Sequence, residues 1–404
     1  MKKRKVYLDH NATTPLREEA LNAMMPFLKE IFGNASSVHT FGQEAKKHLE
    51  DARQKVSLLL NAAKPEEIIF TGCGTESDNL AIKGAALANK DKGNHIITTA
   101  IEHHAVLYTC EYLEKQGFNV TYLPVDAAGR VDPENLARAL TSKTILVSIM
   151  HANNEVGTIE PVQEIGGIIA SENRKRFDQG LSKIYFHSDA VQTAGKLPID
   201  VRKMGVDLLS ISAHKFYGPK GVGALYIKRG TPIVPVLHGG HHERNLRAGT
   251  ENVAGIAGLA AALELSVSEM GAEQARVKKL RDRFEKWVGE NIPDVKVNGH
   301  PSDRVTSVSN ISFEFIEGES LLLSLDIEGI AVSTGSACAS GSLETSHVLK
   351  AMCVRPEVAQ GTVRFSFGHD NSEEDVDYLI KVLPPVVKRL RDMSPLWSKR
   401  ATGK

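Results

Sequence analysis

Charge of one sign, long apolar runs and paired cysteines are all scarce in this sequence. Lys plus Arg and Asp plus Glu both number 49, leaving a formal net charge of zero. Direct binding to nucleic acid or to a charged membrane surface would then need a local basic patch, and the only basic cluster is the opening MKKRK. VYL at residues 6–8 runs straight into Asp9 and His10 with no apolar h-region, so a secretory signal is not expected. No apolar stretch is expected to approach the roughly 20 residues of a membrane span. The four cysteines, Cys73, Cys110, Cys338 and Cys353, are irregularly spaced, the usage of a reduced, cytoplasmic protein. Internal repeats and low-complexity tracts are absent as well, and the terminal WSKRATGK reads as a loose tail.

With 404 residues the chain is long for one core, so two domains are expected. Short β-branched runs at 67–71, 95–100, 119–125, 144–150, 183–187, 207–212 and 222–228 alternate with longer helical stretches. Several runs are almost continuously apolar, which suits a mostly parallel seven-stranded sheet covered on both faces, an α/β architecture. Residues 252–290 change to a long helix with Val277, Leu280, Phe284 and Val288 along one face. SNISFEF at 309–315 and TVRFSF at 362–367 alternate as half-buried strands of a smaller α+β unit. The division expected is a large domain over 16–260 and a small one over 1–15 and 261–404.

Three stretches carry chemistry. In SAHKFYGPKGVG an apolar strand ends at Ser212 and Lys215 follows in a Gly/Pro-rich loop. A lysine held there can be desolvated into a Schiff-base nucleophile, although alone the stretch reads sooner as a solvated surface lysine. HSDAVQ places Asp189 just past another strand. An acid among apolar neighbours needs a cation, and a pyridinium nitrogen is one; alone, capping the next helix is an equal reading. TGCGTESDN turns through Gly72, Gly74 and Thr75 into a helix expected near Glu76, which cradles an anion. Ser77 stands where a dinucleotide fingerprint needs its third glycine, so a single phosphate fits better than NAD.

Taken together, LDHNATTP, GTESDN, EHH at 102–104, HANNEVGT, HSDAVQ, SAHKFYGPKGVG, ERNLRAGTENV, SACASG and VRFSFG resemble the pyridoxal-phosphate-dependent cysteine desulfurases of the NifS/IscS type. The resemblance spans nearly the whole chain and implies a type I aminotransferase-like fold, pyridoxal 5'-phosphate as cofactor and L-cysteine as substrate. It makes Lys215 the lysine that bonds the cofactor and Asp189 the partner of the ring nitrogen. His103 would stack on the ring, and Asn154 and Gln192 would bond its phenolic oxygen. Gly74, Thr75, Ser212 and His214 would hold the phosphate, with Thr250 reaching across a homodimer to the neighbouring subunit's phosphate. Arg364 would grip the substrate carboxylate, with Asn34 beside it; without the resemblance Arg364 reads as a surface arginine on an alternating strand.

STGSACASGS, residues 333–342, sets Cys338 among small residues where nothing can pack around it. A thiol that must reach the cofactor and then an acceptor needs such a mobile setting, and activation below the ordinary thiol pKa of about 8.5. The implied reaction turns L-cysteine into L-alanine and leaves a persulfide on Cys338. A sulfur-acceptor protein, either an iron–sulfur scaffold or a thiolation relay, is implied next. A selenocysteine lyase is the alternative on the same fold, and a non-catalytic scaffold the alternative of another class. No metal site is expected: His238, His241 and His242 share a glycine loop without matched ligands and fit a loop near the dimer contact. Cys73 reads as a small filler, and Cys110 and Cys353 as packing residues.

Overall fold

The computed structural model describes residues 3–334 and 345–401, with side chains through Ser398. The expected seven strands form one sheet in the order Ile68–Thr71, Gly223–Ile227, Leu208–Ser212, Tyr185–Asp189, Thr144–Ser148, His95–Thr99 and Asn119–Leu123. Only Gly223–Ile227 runs antiparallel to its neighbours. Every residue of Thr144–Ser148, Tyr185–Asp189 and Leu208–Ser212 is buried, which is why these runs read as nearly unbroken apolar sequence. The strand expected at 183–187 is shifted two residues, so that Asp189 is its last residue rather than a loop residue.

A second, three-stranded antiparallel sheet joins Thr362–Ser366, Val308–Phe313 and Val295–Asn298. Its core contains Val277, Leu280, Phe284, Val288, Phe313 and Phe365, separate from the cluster around the seven-stranded sheet. The helix Val253–Asn291 serves both cores. Ile256, Leu259 and Leu263 pack on the large one, and the stripe from Val277 to Val288 on the other. The junction expected near residue 260 therefore falls inside a continuous helix.

This helix also corrects the reading of hydropathy. One of its windows, with mean hydropathy 1.4, is long and apolar enough to cross a membrane, and half of that window is buried inside the protein. Glu264 interrupts the run in sequence, but Val, Ile, Leu and Ala around it keep the average high. The N-terminal segment links the two cores. Val6–Tyr7 pairs in parallel with Ile330–Ala331, Asp9 bridges to Ser366, and the Thr14 amide donates to the His214 carbonyl at 2.9 Å.

Candidate active site

Five strands of the large sheet deliver side chains to one cavity of about 190 Å³ at their carboxyl ends. Cys73, Gly74, Thr75 and Asp78 follow Ile68–Thr71, and His103 follows His95–Thr99. Met150, Ala152 and Asn154 follow Thr144–Ser148. Asp189, Val191 and Gln192 come from the next strand, and Ser212, His214 and Lys215 from the last. Loops at the carboxyl edge of parallel strands are where open α/β sheets bind ligands.

The Lys215 side chain donates to the main-chain oxygens of Asn11 at 2.6 Å and Ala12 at 2.8 Å. Gln192 Nε2 donates to the same Asn11 oxygen at 3.0 Å. Asn11 Nδ2 in turn donates to the Asn154 carbonyl at 3.0 Å. The LDHNATTP segment thus backs the cavity, meeting Lys215 and Gln192 through main-chain oxygens and Asn154 through the Asn11 side chain.

Burial pushes the Asp189 carboxyl up to about 6, opposed by its bond from the Val191 amide and by Lys215. Asp78, also lining the cavity, is pushed well above the usual carboxylate range by burial and then by the Asp189 charge. Behind the two acids His187 bonds Ser148 at 2.9 Å and Ser210 at 3.0 Å. Burial pushes the His103 imidazole down to about 4, with Lys215 adding to the effect, and its Nδ1 accepts from the Ala105 amide at 3.1 Å. His214 is likewise pushed down to about 4, chiefly by burial, and its ring bonds the Thr13 hydroxyl.

The helix after the first strand starts at Gly74, two residues earlier than expected, so Thr75 lies in its first turn. A Cβ at Gly74 would stand 2.8 Å from Val191 Cγ2, so the close approach here requires glycine. Glu76 accepts from the Gly72 amide at 2.8 Å and pairs with Arg247 at 2.8 Å, bracing the turn from outside.

Arg364 is not part of the cavity wall but stands directly behind it. Its Nη1 donates to the Asn154 carbonyl at 2.9 Å and its Nη2 to Asp9 at 2.8 Å. Its Nε is buried with no hydrogen-bond partner among the described residues. Ser333 pairs with Arg364 through main-chain bonds of 3.1 and 2.6 Å. Cys338 lies outside the described residues.

Asn34 and Thr250 are both exposed and absent from the cavity wall, and Asn34 Oδ1 accepts from the Ser36 amide at 2.8 Å. His241 bonds Asn245 at 2.6 Å and His242 accepts from the Gly249 amide at 3.2 Å. Cys110 is buried as expected. Cys353 is not a packing residue: it is exposed, in a left-handed backbone turn at φ 57°. Sequence reading missed Asp78, Asn11 and Asp9. For Asp78 the usable signal was an acid three positions after Thr75, on the face that the helix turns to the sheet.

A family profile described as aminotransferase class-V matches residues 6–379. The chain is 56% identical over 393 residues to cysteine desulfurase IscS of Dictyoglomus turgidum, covering 97% of each chain. It is 48% identical to cysteine desulfurase NifS of Azotobacter vinelandii, covering 97% of this chain and 95% of that one. Among solved structures, a NifS-like protein superposes with a TM-score of 0.88 at 42% identity, covering 96% of this chain and all of the other. With profile and relatives matching over nearly its full length, the chain belongs to the class-V aminotransferase family, in its NifS/IscS-like branch.

Proposed function

We propose that this protein is a cysteine desulfurase, converting L-cysteine to L-alanine with bound pyridoxal 5'-phosphate and passing the sulfur to Cys338. The observation that carries the reading is the convergence of Lys215 and Asp189 on one cavity from the ends of adjacent strands. The wall fits the cofactor. Ser212 Oγ is buried without a hydrogen-bond partner among the described residues, a group that a phosphate oxygen satisfies. The first turn of the helix at Gly74 opens on the same cavity and suits an anion. In this reading Thr75, Ser212 and His214 hold the phosphate, Asn154 and Gln192 the phenolic oxygen, and Asp189 the ring nitrogen. A cationic nitrogen opposite Asp189 restores the charge that burial opposes.

Pyridoxal phosphate, when bound, supplies an electron sink for negative charge at the substrate α-carbon. Lys215 anchors it and serves as the base that moves the α-proton. His103 is neutral at working pH and offers a flat ring face instead of a second cation. Arg364 takes the substrate carboxylate through the unpartnered Nε and one terminal nitrogen, a bidentate grip. The Cys338 thiolate attacks the substrate sulfur; the carbon–sulfur bond breaks, a sulfur–sulfur bond forms, and alanine leaves after protonation. Support for Cys338 comes from the flanks of its segment. Ser333 is paired to Arg364 on one side, while Ser346 bonds Glu155 and His347 bonds the Glu102 carbonyl on the other.

The protein acts as a homodimer in which Thr250 completes the neighbouring phosphate site. Phe32 and Phe41, 74% and 57% exposed, stack on each other at the surface, as apolar groups awaiting a partner do. Cys73, Cys110 and Cys353 are free, which fits the cytoplasm. The sulfur goes to an iron–sulfur scaffold or a thiolation relay.

Incubation with pyridoxal phosphate and L-cysteine, followed by an alanine assay and peptide mass mapping, tests the reading. Alanine together with a persulfide on the 333–342 peptide is expected. Alanine without that persulfide removes Cys338 from the mechanism. Selenide release that survives Cys338→Ala while cysteine turnover is lost indicates a selenocysteine lyase, and a protein that stays colourless with the cofactor indicates a scaffold.

A further inference from the structure

The strongest group left unexplained is Lys196, which is 7% exposed and lies one turn beyond Gln192. Its Nζ donates to Gln192 Oε1 at 3.5 Å, and no carboxylate pairs with it among the described residues. Glu269 and Glu273 line the small cavity it shares, but they are engaged by Arg17 and Arg276. The charges it feels most are cations, Lys215 and Arg364; its own charge acts on the rings of His10 and His214, and His369 lines the same small cavity. Burial and these cations push the amine down to about 7. An ammonium without a counter-ion in the interior is costly, so its retention calls for a reason beyond packing.

We propose that Lys196 is a positioning residue for Lys215 and Gln192: its charge favours the neutral, nucleophilic amine of Lys215, and its N–H fixes which way the Gln192 amide faces. Both roles rest on the pyridoxal-phosphate site of the desulfurase reading, not on turnover of L-cysteine. Coulomb repulsion is reciprocal. Lys196 bonds Gln192, and Gln192 and Lys215 bond the same Asn11 oxygen, so the two ammonium groups stand on either side of one hydrogen-bonded node and each disfavours the other's charge. A neighbouring cation is a known way to activate a Schiff-base lysine. The charged form of Lys196 also only donates, so Gln192 must turn its oxygen toward it. Nε2 is then directed to Asn11 and the cavity, presenting a donor to an anionic ring oxygen.

The test uses full-length protein loaded with pyridoxal phosphate, as wild type, Lys196→Met, Lys196→Arg and Lys196→Gln. The readouts are the pH midpoint of the bound cofactor's absorbance and the acid limb of kcat/KM for L-cysteine. Lys196→Met is expected to move both upward by about one pH unit, with kcat/KM near neutrality falling roughly tenfold. Lys196→Arg keeps the charge and the wild-type midpoint. If the Met variant does not fold, Lys196→Gln carries the test, since it keeps a donor and loses only the charge. An unmoved midpoint in the neutral variants, whatever happens to turnover, overturns the proposal. If the wild type forms no alanine yet the midpoint still moves, the desulfurase reading fails and the role of Lys196 stands.

Discussion

Asp9 Oδ1 lies 2.8 Å from Nη2 of Arg364, and the pair joins the N-terminal segment to the strand Thr362–Ser366. The guanidinium is therefore held in place before any substrate arrives, with Nε left over for one. Arg364→Lys keeps the charge and loses the fork. KM for L-cysteine is expected to rise roughly 10- to 100-fold, with a smaller change in kcat. Steady-state kinetics on the loaded enzyme check this, and an unchanged KM removes Arg364 from the substrate site.

Lys215→Ala removes both the anchor and the proposed base. Turnover is expected to fall by roughly 10³-fold or more, since the side chain that holds the cofactor and moves the proton is gone. Absorbance after gel filtration with the cofactor provides the second readout: the variant loses the covalently held chromophore.

Asp189→Asn separates binding from chemistry. The neutral amide cannot sustain a protonated ring nitrogen, so kcat is expected to drop roughly 10²-fold or more even where the cofactor is retained. Activity close to the wild-type level would falsify the assignment of Asp189 to the ring.

Acid weakens this protein through its buried imidazoles. Burial holds His10 and His151 down to about 4 and His187 down to about 3, below the ordinary 6.5. The unfolded chain takes up protons first, so the stability these groups give is present above 6.5 and is lost as pH falls through 4 to 3. Thermal melts across that range should show a steep decline, and His151→Gln, which can still reach Thr193, should flatten it.

The opposite limb belongs to Glu160. It is 3% exposed, and burial pushes its carboxyl up to about 8 although it accepts the Val131 amide at 2.8 Å. Its contribution is full below the ordinary 4.5 and is lost as pH rises through 8. Glu160→Gln removes the charge, so the variant should gain on the wild type by a few kcal/mol toward alkaline pH, at about 1.4 kcal/mol for each tenfold change in proton affinity. Parallel denaturation curves at several pH values check this.

The sheet was legible because its strands are buried on both faces, and continuous burial writes continuous apolar sequence. Lys215 and Asp189 were legible because strand ends in such sheets are marked by an abrupt return of polar residues. What could not be read were relationships across long sequence distance. Asn11 meets Lys215 through a main-chain oxygen that any residue could supply, and Asp9 meets Arg364 across 355 positions. Exposure was equally hidden at Cys353, where the left-handed turn depends on its surroundings rather than its type.

The helix Val253–Asn291 runs for 39 residues, about 58 Å at 1.5 Å per residue, and lends one end to each core. Neither core closes without it. Severing the chain near residue 260 would leave the first core without Ala262 and Leu263 and part the second from Val6 and Leu8, which pack in it. The two cores thus share one helix, and they are expected to melt in a single cooperative transition rather than in sequence.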